Sequence, residues 1–125
     1  MTAYLDTHVA VWLYAGTADS FSSAAIKEIE TADLLISPAV LFELRLLEEL
    51  GRIQVGPEEI LTALQHDIGL RLCPLAFHEI VRAAYQQSWT RDPFDRLIVA
   101  QAQAAGANLI SKDRKIRAKF QRAIW

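Results

Sequence analysis

Short, largely apolar runs alternate with longer stretches of helical spacing along this chain, and no other feature limits its fold as much. Ala3–Leu5, Leu34–Ile36, Leu70–Cys73 and Asn108–Ile110 are bounded by turn or cap residues, the pattern of strands buried on both faces. Between them, Val9–Tyr14, Ala24–Ile29, Pro38–Leu50, Pro57–Ile68, Phe77–Gln87 and Pro93–Ala105 carry apolar residues at a 3.6-residue period. This order predicts an α/β fold: a three-layer α/β/α arrangement around a central parallel sheet of four to five strands.

The punctuation agrees. Ser37-Pro38 and Asp92-Pro93 each place an N-cap side chain before a proline at the first helical position, where the missing N–H costs nothing. Gly51 and Gly106 follow helical stretches as C-terminal stops. With 125 residues, 52% of them hydrophobic, and no repeat or linker, residues 1–125 are expected to form one domain. No apolar run approaches the roughly 18 residues of a membrane span. The opening Met1–Asp6 lacks the basic start of a secretory signal. A lone Cys73 makes no internal disulfide, so a soluble, cytoplasmic protein is expected.

Charge is unevenly placed. Residues 1–111 hold seven Lys/Arg against fourteen Asp/Glu, whereas Lys112–Trp125 hold six against Asp113 alone. Such a segment suits either a solvated amphipathic helix or contact with a polyanion.

The acids themselves sit at informative places. Asp6 follows the first predicted strand and Asp113 closely follows the strand ending at Ile110, and ligands of open parallel sheets bind at those carboxyl ends. Glu43 lies in an apolar helix among Phe42, Leu44 and Leu47, where it needs a cation, a metal or a path to water; Arg45 and Arg52 are the nearby cations. Asp92 and Asp95 share one side of the first turn of the helix that Pro93 opens. Each acid alone also reads as a helix cap or dipole partner. Converging on one crevice, they would repel one another unless a divalent cation bound, and an oxygen-only donor set favours magnesium or manganese over zinc.

Taken in order, Leu5–Leu13, Ser37 to Glu43, Asp92–Ala102 and Leu109–Asp113 resemble the PIN-domain ribonucleases, most closely the VapC-type toxins of prokaryotic toxin–antitoxin modules. The resemblance spans essentially the whole chain. It implies a magnesium- or manganese-dependent endoribonuclease whose metal ligands and catalytic acids are Asp6, Glu43, Asp95 and Asp113, with Asp92 an additional acid. It also implies that Ser111 supports Asp6 or a water at the metal, with Thr7 a lesser candidate for that task. RNA products with 5′-phosphate and 3′-hydroxyl ends, a homodimer, inhibition by a cognate antitoxin, and operator DNA contact only through that antitoxin follow from the same resemblance. Arg91, Arg96, Lys112, Arg114 and Lys115 are candidates for holding the RNA backbone. Trp12, Trp89 and Trp125 suit packing better than base stacking, and His8, His66 and His78 are assigned no chemistry.

Three alternatives have distinct requirements. A phosphatase of the haloacid dehalogenase type needs a second Asp two positions after the first, where this chain has His8. A catalytically silent PIN-like binding protein would not need so many mutually repelling acids. An RNA-processing nuclease without an antitoxin would share every residue named.

Overall fold

Every predicted strand forms, and the chain adds one more. The computed structural model describes residues 1–125, the side chain of Ala18 excepted. In chain order the elements are β1 (Thr2–Leu5), α1 (Thr7–Ala15), a 3-10 turn (Ala18–Ser20), α2 (Ser23–Thr31), β2 (Asp33–Ile36), α3 (Pro38–Glu49) and α4 (Pro57–Ile68). There follow β3 (Arg71–Leu72), α5 (Phe77–Ala84), α6 (Pro93–Ala104), β4 (Asn108–Ile110), α7 (Arg114–Lys119) and β5 (Ala123–Ile124). The strands pair in the order β3-β2-β1-β4-β5, all parallel, with helices flanking the sheet.

Register explains why the central strands are so apolar. Tyr4 faces Leu35 on one side and Leu109 on the other, and Leu5 faces Ile110. Ala3, Tyr4 and Leu5 are all buried, so both faces of β1 are covered. Tyr4, Leu5, Ile36, Val9, Leu44, Ile98, Leu109 and Ile110 are almost wholly buried in one core. Helix ends use the predicted devices. Ser37 Oγ accepts the Ala39 N–H at 3.0 Å, and Gly106 adopts φ 63°, a left-handed conformation that closes α6 and releases the chain into β4.

Two boundaries differ from the sequence reading. The strand expected over Leu70–Cys73 narrows to Arg71–Leu72, the residues in register with Leu35 and Ile36; Leu70 and Cys73 flank it, buried in the core, and the Cys73 N–H still donates to the Ile36 carbonyl at 2.9 Å. The helical stretch Phe77–Gln87 ends at Ala84. The C-terminal segment is only briefly helical. After α7 buries Ile116 and Phe120, the chain turns into β5 and pairs Ala123 and Ile124 with Leu109 and Ile110. A two-residue strand carries no periodicity of its own, so its pairing is settled by the exposed edge of β4.

Among the described residues, no helix is long and apolar enough to cross a membrane. Truncating the core at Leu109→Ala should lower unfolding free energy by about 2–5 kcal/mol, while Leu50→Ala, on the surface, should stay within about 0.5 kcal/mol. Urea titration of both variants checks this, the midpoint moving without a change in slope.

Candidate active site

β1 lies between β2 and β4, so the chain leaves it in one direction for β2 and is joined from the other side by β4. A crevice opens outside the strands' carboxyl ends at such a reversal of strand order. Asp6 immediately follows β1, and Ser111, Lys112 and Asp113 connect β4 to α7. Glu43 comes from the second turn of α3, while Asp92 and Asp95 come from the start of α6. All five acids line one cavity of about 430 Å³, together with Thr7, His8, Val11, Trp12, Leu47, Arg52 and Ile53.

Each acid has a local reason for its place. Asp6 caps α1 by accepting the Thr7 N–H at 2.8 Å through Oδ1, and its Oδ2 accepts the Ser111 hydroxyl at 2.6 Å. Only 4% of Asp6 is exposed, so these bonds replace the water it has lost. Ser111, itself fully buried, also accepts the Asp113 N–H at 3.1 Å. Asp113 caps α7 through the Ile116 N–H at 2.9 Å, and Asp92 caps α6 through those of Phe94 and Asp95, at 2.8 and 3.1 Å. Capping and crevice-lining are compatible here, because a helix that starts at a strand's carboxyl end points its N-terminus at the crevice.

Glu43 does not pair with either nearby arginine. Arg45 is taken by Glu48 at 2.8 Å, and Glu43 instead accepts the hydroxyl of Thr7. Thr7 thus serves both walls of the cavity: its backbone holds Asp6 and its side chain holds Glu43. Burial raises the Glu43 pKa, with Asp6 and Asp92 adding to the effect and the Thr7 bond opposing it. Asp95 is pushed further, up to about 7, first by burial and then by the charges of Asp92, Asp6, Asp113 and Glu43. A carboxyl so raised marks a place where positive charge is wanted.

The donor set fits a hard divalent cation: carboxylate oxygens without a thiolate. Among the described residues no three potential ligands form a ready-made cage, so an incoming cation would draw the carboxylates together. The imidazole of His8 is not free to join them. Its Nε2 accepts the Lys112 N–H at 2.9 Å, and burial lowers its pKa against the opposing pull of Asp6 and Asp113.

The basic candidates have different partners. Arg96 donates to the carbonyl oxygens of Ala84 and Tyr85 at 3.1–3.4 Å, closing the end of α5, and Arg91 donates to that of Ser88 at 2.8 Å. Lys112 Nζ lies 5.7 Å from the centre of the Trp12 ring and 5.9 Å from that of Trp125; Lys115 Nζ lies 5.9 Å from Trp89. Arg114 lines a separate, shallow cavity with Arg117 and Trp125. The tryptophans pack as the sequence suggests: Trp12, Phe21 and Trp125 make one aromatic cluster. His8 and Arg52 also line the cavity, without a predicted role there. His8 sits two positions after Asp6 on the first turn of α1, a spacing that points to it; Arg52 is legible only as a cation near Glu43.

Comparison with known proteins gives the family and the fold. A PIN domain model matches residues 3–120. Ribonuclease VapC22 of Mycobacterium tuberculosis is 38% identical over 121 residues, covering 93% of this chain and 90% of that protein. The fold resembles that in the crystal structure of VapBC2 from Rickettsia felis bound to a DNA fragment from their promoter, with a TM-score of 0.62 at 20% identity over 98% of this chain and 96% of that one. A second likeness is to the crystal structure of DNA-bound VapBC from Salmonella typhimurium, with a TM-score of 0.60 at 17% identity over 94% and 91% of the two chains. With a match from the first strand to the end of α7 and a ribonuclease relative along nearly its whole length, the chain belongs to the PIN domain family.

Proposed function

We propose that this protein is a divalent-metal-dependent endoribonuclease that hydrolyses RNA phosphodiester bonds, acting as the toxin of a toxin–antitoxin pair. The observation that carries the reading is the meeting of Asp6, Glu43, Asp92, Asp95 and Asp113 in one cavity with Asp95 raised to about 7. The ribonuclease relative gives the chemistry its direction, and the likeness to VapBC toxins supports a cognate antitoxin as partner. On this reading residues 1–125 act as one cytoplasmic domain, paired as a homodimer, that meets operator DNA only through the antitoxin.

Asp6, Glu43, Asp95 and Asp113 would hold magnesium or manganese. Bound there, the ion supplies Lewis-acid charge at a phosphoryl oxygen and makes water a stronger acid. The chain's own contribution is orientation. Ser111 and the Thr7 N–H fix both oxygens of Asp6, and the Thr7 hydroxyl fixes Glu43, so two acids on different elements are held before substrate arrives. Asp92 keeps the first turn of α6, and with it Asp95, against the cavity. The proton on Asp95 must leave before its carboxylate can ligate, so binding of the ion releases protons near neutral pH. Lys112, Arg114 and Lys115 flank Asp113 in the chain and would meet the RNA backbone; Arg91 and Arg96, engaged with carbonyls, would do so less.

Purified protein should cut total RNA with magnesium or manganese and not with EDTA, and Asp6→Asn and Asp95→Asn should each lose about 100-fold or more of the rate. Equal cutting by all three would reveal a contaminant. A wild type that binds magnesium tightly, yet leaves RNA ends in expressing cells unchanged, would favour a silent binding protein. Growth arrest relieved by an adjacent antitoxin gene separates the toxin role from RNA processing.

A second expectation concerns pH. In the cation-free protein Asp95 keeps its proton to about 7, whereas the unfolded chain gives it up near the ordinary aspartate value of about 4. Between those values the folded state binds more protons, so this group removes stability as pH rises, and the loss is complete above about 7. Asp95→Asn should therefore raise Tm at about pH 8, leave it nearly unchanged at about pH 4, and weaken the stabilisation that magnesium gives the wild type. Thermal melts at both pH values, with and without magnesium, check this.

A further inference from the structure

The turn between β4 and α7 carries Ser111 and Asp113, and each of its three backbone N–H groups is claimed by a different partner. Ser111 donates to the Ile124 carbonyl of β5 at 3.1 Å, Asp113 donates to the Ser111 hydroxyl at 3.1 Å, and Lys112 donates to His8 Nε2 at 2.9 Å. The last bond joins residues 104 positions apart and ties the backbone of the turn to a side chain of α1, beside the Ser111 hydroxyl that donates to the α1 cap Asp6. An amide N–H only donates, so Nε2 is unprotonated and the ring proton sits on Nδ1. That atom faces Asp6 Oδ2 at 3.6 Å, beyond hydrogen-bond length yet favourable in sign.

The ring is held in this orientation by its neighbours. Trp12, one helical turn further along α1, packs against it with 4.9 Å between ring centres, and Trp125 approaches to 6.5 Å. The same two indoles receive the ammonium of Lys112. Both ends of Lys112 are therefore captured from one direction: its backbone by His8 and its side chain by Trp12 and Trp125.

We propose that His8 is a positioning residue: by accepting the Lys112 N–H it pins the Ser111–Asp113 turn to α1 and sets Ser111 and Asp113 against the Asp6 side of the cavity. The proposal rests on the reading of that cavity as the nuclease site. It assigns His8 neither metal ligation nor proton transfer; the side chain acts through the turn it holds.

Two substitutions separate this role from ring packing. His8→Phe keeps an aromatic ring beside Trp12 without an acceptor, and His8→Gln offers an amide oxygen at about the reach of Nε2. With the full chain, hydrogen exchange at the Lys112 amide, magnesium titration followed at the Asp113 amide, and RNA cleavage are measured together. In His8→Phe, Lys112 exchange should quicken about 5- to 10-fold, the value of one lost hydrogen bond. Apparent magnesium affinity and kcat should fall about 10- to 100-fold, with KM for RNA little changed. His8→Gln should recover most of each loss. Lys112 exchange and magnesium affinity in His8→Phe that equal the wild type would overturn the proposal. So would a protonated Nε2 in the nitrogen spectrum of the wild type, a measurement that stands even if His8→Phe fails to fold. If the wild type cuts no RNA, the nuclease reading fails, while the exchange and magnesium measurements still decide what His8 does.

Discussion

A buried carboxylate at the end of the central strand governs the rest of this structure. Asp6 is almost inaccessible, and a carboxylate in that position costs several kcal/mol unless hydrogen bonds replace its water. Its bonds come from Thr7, next in sequence, and from Ser111, 105 positions away. The second exists only because β4 pairs with β1 in a register that sets Ile110 beside Leu5. The Asp6 N–H also donates to the Ile110 carbonyl at 3.1 Å, so backbone and side chain of one residue are both held by the same connection.

From that anchor the cavity follows by geometry. Four elements begin or turn at the carboxyl ends of β1, β2 and β4, and each brings an acid that would have been a sufficient helix cap or surface charge alone. Brought together, the acids repel one another, and Asp95 keeps its proton near neutrality, first because it is buried and then because of the charges around it. The chain tolerates this repulsion because helix N-termini and hydroxyl donors surround the acids. A divalent cation is the partner that would convert the repulsion into attraction, which is why the carboxylates fit together chemically and not merely sterically.

The basic C-terminal segment has a structural task as well as a charge. Ile116 and Phe120 close the core, and β5 covers the edge of β4 that would otherwise expose unpaired backbone groups. Its first lysine, itself exposed, lies over Trp12 and Trp125, 5.7 and 5.9 Å from their ring centres.

The amino-acid sequence alone determined the α/β class, the parallel sheet, the caps at Ser37 and Asp92, and the identities of the acids, because these depend on periodicity and on residue chemistry within a few positions. Asp6 and Asp113 were legible as residues just past strands, and Glu43 as a carboxylate that its apolar helix left unexplained. Only tertiary structure decided that Thr7 supports Glu43 as well as Asp6, that Arg52 joins the cavity wall, that His8 faces the Lys112 amide, and that Ala123–Ile124 form a fifth strand. Each of these is a contact between residues far apart in the chain, created by strand order and register. Local propensity carries no record of a partner 36, 104 or 105 positions away, whereas the folded sheet brings those partners within hydrogen-bond length.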